Sequence, residues 1–176
     1  NWGIGELPVS AIGTGGAQRR RGDGYGNIFD HFAVQYEYPN GVQVTSMCRQ
    51  MENCANRVSE TIIGTRGIAY FWGSNSKIEG KKSYEFKGES PDMMVQEHKD
   101  LIASMRGDTK RLNDGKRIAE STLTAILGRM TGYTGRAINY SWILNKSQLD
   151  YSLPEYNFDV DVPFEPQAIP GVTEVL

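Results

Sequence analysis

Histidine and cysteine are scarce in this chain, two of each among 176 residues. That scarcity removes whole classes of chemistry. Cys48 and Cys54 are too few for a tetrahedral zinc site or a disulfide framework, and they read as two reduced, partly buried thiols. His98 lies in "QEHKD", on the polar side of a helical pattern with no second His at helical spacing, so it reads as a surface side chain and not a metal ligand. A Ser–His–Asp set would want a nucleophile elbow, and no GxSxG occurs. No run of about 18 apolar residues is present, so the sequence offers no apolar helix to span a membrane. Neither sign of charge dominates: 19 Lys and Arg stand against 21 Asp and Glu, a formal net charge of −2. No global field therefore favours nucleic acid or an anionic membrane. The one basic run, Arg19–Arg21, is too short for a nucleic-acid stripe, and no aromatic residue interleaves it. The opening "NWGIGELPV" has no initiator Met and reads as cut from something longer, so no compartment can be read from it.

What is present is an ordinary folded composition, 39% hydrophobic and 23% charged, at the length of one domain. Tyr25 to Gly41 reads "YGNIFDHFAVQYEYPNG". Its period is two, with Ile28, Phe32, Val34, Tyr36 and Tyr38 on one face and Phe29, His31, Ala33, Gln35 and Glu37 on the other. Asn40-Gly41 accepts the positive φ of a tight turn, and Val42, Val44, Ser46 and Cys48 continue a returning strand. A strand is predicted within Pro8–Gly16, and others at Val58–Thr65, Ile68–Trp72, around Ile78 and at Ser83–Phe86, with "GTRG" (Gly64–Gly67) as a hairpin turn.

From Pro91 the period changes. Ser90 as N-cap, Pro91 at the first position and Gly107 as the stop predict a helix with Met94, Leu101, Ile102 and Met105 as its stripe. A second helix opens after Asn113, with Ile118, Thr122, Ala125, Ile126 and Met130 along one side. Ser141–Lys146 predicts a short third helix. Residues 150–176 carry four prolines and read as an extended arm beyond a domain over residues 1–149. Strands followed by helices predict an α+β fold: an open, predominantly antiparallel sheet with helices packed on one face. The other face, carrying Phe29, Ala33, Met47, Thr61 and Ile63, is too apolar to stay fully wet, and a second copy is its expected cover.

Asp30 and His31 stand where an ordinary strand would carry a Val or Thr, just after the glycine-rich, arginine-containing loop "GGAQRRRGDGYGN". Such a loop can close over a ligand's hydroxyl or anionic groups. Asp30 could equally cap the loop backbone while His31 is half buried. The loop is no phosphate loop, because no Lys-Ser/Thr follows its glycines and no helix N-terminus comes after it.

"NWGIGELPVSAIGTGGAQ", "YGNIFDHFAVQYEYPNGV", "CRQ", "GTRG", "EHKDLIASMRGD", "ESTLTAILGRMTGYTGR" and "PFEPQAIPGV", in this order over almost the whole chain, resemble one family. It is the C-terminal half of the glucose–fructose oxidoreductase / inositol dehydrogenase (Gfo/Idh/MocA) type enzymes, in their bacterial subgroup. The resemblance implies a preceding Rossmann domain that holds NAD or NADP, hydride transfer at a sugar or cyclitol hydroxyl, and a C-terminal domain that binds substrate and makes oligomer contacts. In that family a catalytic His lies in a Gly-rich His-x-x-Asp segment running directly into Asn-Trp. The proton-transfer His is therefore expected just upstream of Asn1, so no catalytic residue is assigned here, and the fragment alone is expected to be inactive and to hold no cofactor or metal. The resemblance assigns Arg19, Arg21, Tyr25, Asp30 and His31 to the substrate-side wall, where Asp30→Asn or His31→Ala should raise KM more than it lowers kcat. Two other readings stand beside it: the same domain of an NAD-dependent glycosidase, α-N-acetylgalactosaminidase-like, and a non-catalytic assembly module.

Overall fold

The structure, a computed structural model, describes residues 3–73, 75–160, 162 and 165–176. Asn1, Trp2, Pro163 and Phe164, which the sequence reading used, lie outside the described residues. The chain divides into two compact units, one of residues 1–52 with 114–176 and one of residues 53–113.

In the first unit, strands β1 (Ser10–Gly16), β2 (His31–Glu37) and β3 (Gln43–Arg49) are joined by a short late strand, Ile138–Asn139. All pairs are antiparallel, with β3 at one edge, then β2, then β1, and the late strand at the other edge. The Asn-Gly turn forms as its chemistry demands: Gly41 takes φ 77°, and Tyr38 and Val42 close the loop by a 2.9 Å backbone bond. In the second unit, β4 (Glu60–Gly64), β5 (Gly67–Trp72), β6 (Asn75–Gly80) and β7 (Tyr84–Glu85) form a separate antiparallel meander, followed by helix α1 (Met93–Arg106). With that numbering the late strand of the first unit is β8.

The α+β class and the antiparallel pairing match the expectation. The strands, however, make two sheets rather than one over residues 1–149. Periodicity identifies strands but not their partners. Here β3 ends as an edge, and the connector to β4 carries Asn53 in the left-handed region at φ 59°.

The first unit's core lies between this sheet and helix α2 (Gly115–Thr134). Val34 and Tyr36 are buried at 5% and 8% exposure while Gln35 and Glu37 are exposed, which is the period-two pattern. The helix comes close because two of its residues lack side chains. A Cβ on Gly132 would stand 2.7 Å from the Phe32 ring, and one on Gly128 would land on the Tyr36 hydroxyl. The buried residues run from Leu127 to Thr134 with only Arg129 part-exposed among them, whereas Thr122 and Ala125 of the predicted stripe are exposed. Only the half of α2 that crosses β1 and β2 is covered.

Two alternation assignments fail at the start of β2. Phe29 is buried and Ile28 is exposed, the reverse of the pattern, because regular extended backbone begins only at His31. Phe29 packs against Phe32 and Tyr133, with ring centroids 5.6 and 4.6 Å away. Both cysteines are free but exposed, not partly buried: Cys48 sits on edge strand β3 and Cys54 in the connector.

Helix α1 starts later than Ser90 suggested. Asp92 is its N-cap, its carboxylate accepting from the Met94 and Val95 amides at 2.9 and 3.2 Å, and Gly107 closes it at φ 83°. A short helix α3 (Tyr140–Asn145) follows β8. Among the described residues, the segment from 150 onward has no helix or strand and is tied to the first unit. The Gly171 amide bonds the Thr134 carbonyl at 2.8 Å, and Val175 packs on the core. Among the described residues no helix is long and apolar enough to cross a membrane.

Candidate functional site

Asp30 sits one step before β2, and its backbone extends the ladder on both sides. Its amide donates to the Gly16 carbonyl (2.9 Å) at the end of β1, and its carbonyl accepts from Gln50 (2.8 Å) just past β3. That double anchoring fixes where the side chain goes. The carboxylate is wholly buried. Its Oδ2 accepts three successive backbone amides, from Gln18 (2.8 Å), Arg19 (2.7 Å) and Arg20 (3.1 Å). Its Oδ1 lies 2.8 Å from His31 Nδ1.

Burial alone would push this carboxyl up. The hydrogen bonds from His31 and from the Arg19, Arg20 and Gln18 amides outweigh it and hold the group well below the usual carboxylate range. An ionised carboxylate only accepts, so the proton of this contact resides on His31 Nδ1. In its neutral form the imidazole then presents Nε2 as a lone-pair acceptor. The ring is one-third exposed and lies beside β1, where a Cβ on Gly16 would stand 3.2 Å from Cε1. Gly16 thus leaves room for the ring.

The loop folds back on itself: Arg21 Nε donates to the Ala17 carbonyl at 2.8 Å, and Gln167 Nε2 donates to the Arg20 carbonyl at 2.9 Å. Arg19 and Arg21 are exposed. Tyr25, 57% exposed, follows on a single 3₁₀ turn (Asp23–Tyr25), and among the described residues no side-chain bond ties it to Asp30 or His31. Of the residues the sequence singled out, the structure therefore joins Asp30, His31 and the arginine loop by direct bonds and leaves Tyr25 apart. Asp30 has both oxygens engaged inside the protein, so it shapes the site and does not touch a ligand. His98 is exposed on α1, its Nδ1 2.7 Å from the Met94 carbonyl.

Sequence reasoning missed three supports. Gln167 reaches back from the C-terminal segment, and nothing local signals that. Phe29 backs the aspartate through its ring contact with Tyr133. Arg129, one helical turn before Tyr133, holds its guanidinium carbon 5.5 Å from that ring's centroid and 5.8 Å from that of Tyr151. Its buried Nε has no hydrogen-bond partner. The Arg129/Tyr133 spacing of four on a helix was a readable sign.

The sequence matches no protein-family model and no curated protein. Solved structures do match. A protein from Thermotoga maritima assigned as an oxidoreductase matches 78% of this chain and 42% of its own, with TM-score 0.59 and 18% identity. The aldose-aldose oxidoreductase of Caulobacter crescentus, solved with glycerol, matches 77% of this chain and 42% of its own, with TM-score 0.55 and 14% identity. The chain shares the fold of the matched part of these two proteins.

This chain spans under half the length of either protein it matches. The glycine-rich loop after β1 runs through its single 3₁₀ turn into strand β2 and not into an α-helix. Its amides at Gln18, Arg19 and Arg20 are already taken by Asp30. The residues present therefore do not fit a dinucleotide pyrophosphate, which needs free amides at a helix N-terminus.

Proposed function

We propose that this chain is the substrate-binding and oligomerisation part of an NAD(P)-dependent oxidoreductase that acts on a sugar or cyclitol hydroxyl by hydride transfer. The observation that carries the reading is the carboxylate-pinned His31 and its arginine loop at one end of an oxidoreductase-type sheet. A sugar offers hydroxyls as donors and acceptors. His31 Nε2, with its tautomer set by Asp30, accepts a hydrogen bond from one such hydroxyl and orients the ring. Arg19 and Arg21 supply further donors from the loop that Asp30 holds, Tyr25 offers an exposed ring on the 3₁₀ turn that follows, and Asp30 is a positioning residue. NAD or NADP belongs to the remaining length of the enzyme.

The test is turnover by the intact protein with a panel of aldoses and cyclitols, following nicotinamide absorbance. Net, substrate-dependent accumulation of NADH or NADPH is expected. Sugar release from aryl glycosides with no net reduced nucleotide would replace this reading with the glycosidase one. No turnover of either kind would leave the assembly-module reading.

Self-association rests on exposed apolar surface in each unit. In the first sheet Ile12 and Met47 are 54% and 76% exposed; in the second unit Ile63 and Trp72 are 79% and 63% exposed. Patches of this kind mark interfaces. Light scattering at micromolar concentration is expected to give a dimer or larger species. Monomer alone would remove the oligomerisation role.

A further inference from the structure

The arginine loop is held in place against its own charge. Arg19, Arg20 and Arg21 are consecutive, and among the described residues none of their guanidiniums has a carboxylate partner. Asp30, which holds the loop, turns its oxygens to the loop's backbone and to His31, not to the arginine side chains. A flexible loop would let three like charges spread into solvent. This one is fixed at both ends of the run: Asp30 takes the amides of Arg19 and Arg20, and Gln167 and the Ala17 carbonyl take the Arg20 carbonyl and Arg21 Nε. Like charges kept together by bonds to the backbone of their own loop are an arrangement made for an anion from outside.

We infer that the site takes an acidic sugar, one whose carboxylate or phosphate substituent is read by Arg19 and Arg21 while a neighbouring hydroxyl meets His31 Nε2. This rests on the sugar-binding reading above and narrows it. Arg19 and Arg21 are exposed and lie on a loop bonded to the residue preceding His31. The planar guanidinium fork matches both anion types, so the shared chemistry is a multi-oxygen anion attached to a hydroxylated ring. Arg20, half buried and with its carbonyl tied to Gln167, stiffens the run between the two readers.

The test is calorimetric titration of the intact protein with D-glucuronate, D-glucose 6-phosphate, D-glucose and inorganic phosphate, at low and at high salt. At least one of the acidic sugars is expected to bind about tenfold or more tighter than glucose at low salt, with the gap narrowing as salt screens it. Which of the two does so names the anion. The double variant Arg19→Ala/Arg21→Ala should erase the gap, weakening the acidic sugar about tenfold or more beyond any loss for glucose, and Arg19→Lys/Arg21→Lys should restore part of it. Equal affinity for acidic and neutral sugars would overturn the inference and leave the sugar reading standing. Binding of free phosphate as tight as that of glucose 6-phosphate would overturn it too, because the loop would then be an anion patch unconnected to a sugar. Failure of all three sugars to bind would remove the sugar reading itself.

Discussion

Asp30→Ala is expected to cost about 2–4 kcal/mol of folding stability, read as a shift of the urea midpoint at unchanged slope. The substitution deletes the acceptor of three loop amides and of His31 Nδ1 in one step. Stranded amides cost about 1–3 kcal/mol each when dry, but Gln18 and Arg19 are exposed, so water recovers part of the loss. Asp30→Asn separates the two halves of this function. Its one oxygen can still accept the loop amides, so the loss should fall to about 1–2 kcal/mol. Its NH₂ group, however, then faces His31 Nδ1, which must give up its proton, and Nε2 changes from acceptor to donor. The native carboxyl also sets an acid limit. Its folded value lies below the ordinary 3.8, so its contribution is fully present above about pH 4 and is lost as pH falls further. In Asp30→Asn that acid-side decline should be shallower. Parallel acid limbs in the two proteins would show that Asp30 does not govern it.

The second large effect is a reversal of sign on α2. Glycine to alanine inside a helix ordinarily gains about 1 kcal/mol. At Gly128 and Gly132 it should instead lose about 1–3 kcal/mol, because overpacking outweighs propensity. A Cβ at Gly132 meets two carbons of the Phe32 ring at 2.7 and 2.9 Å, and one at Gly128 meets the Tyr36 hydroxyl and, at 3.0 Å, its ring carbon. Tyr36 is buried at 8% exposure, so its ring has little room to turn away. Thr122→Ala on the same helix is the control: its side chain is exposed, and propensity alone should leave it neutral or slightly stabilised. Thermal unfolding of the three variants decides the matter. A gain at Gly128 and Gly132 equal to that at Thr122 would mean that helix and sheet are not in this close contact.

What the sequence showed plainly was whatever local chemistry controls. The Asn-Gly turn, the alternation from His31 to Glu37 and the glycine at 107 that closes α1 all follow from backbone preference and burial. Asp30 and His31 stood out because charged and imidazole side chains interrupt an apolar strand start, and the proposed site is built on them. The partition into two sheets was not readable, since β4 could in principle have paired with β3, and only tertiary packing decides. Phe29 was misplaced because alternation was extended two residues beyond the regular strand. Gln167 was missed because it meets Arg20 across 147 residues of chain. The cap at Asp92 was read as Ser90 because both residues suit that position, and Asp92 wins by reaching two amides.

The central claim is that His31, held by Asp30, orients substrate and does not carry out the chemical step. Steady-state kinetics of the intact protein and of His31→Ala, with the best sugar substrate and saturating nicotinamide nucleotide, test it most directly. The account expects KM to rise about fivefold or more while kcat stays within about twofold. A fall in kcat of about a hundredfold at unchanged KM would make His31 the proton-transfer group and contradict it.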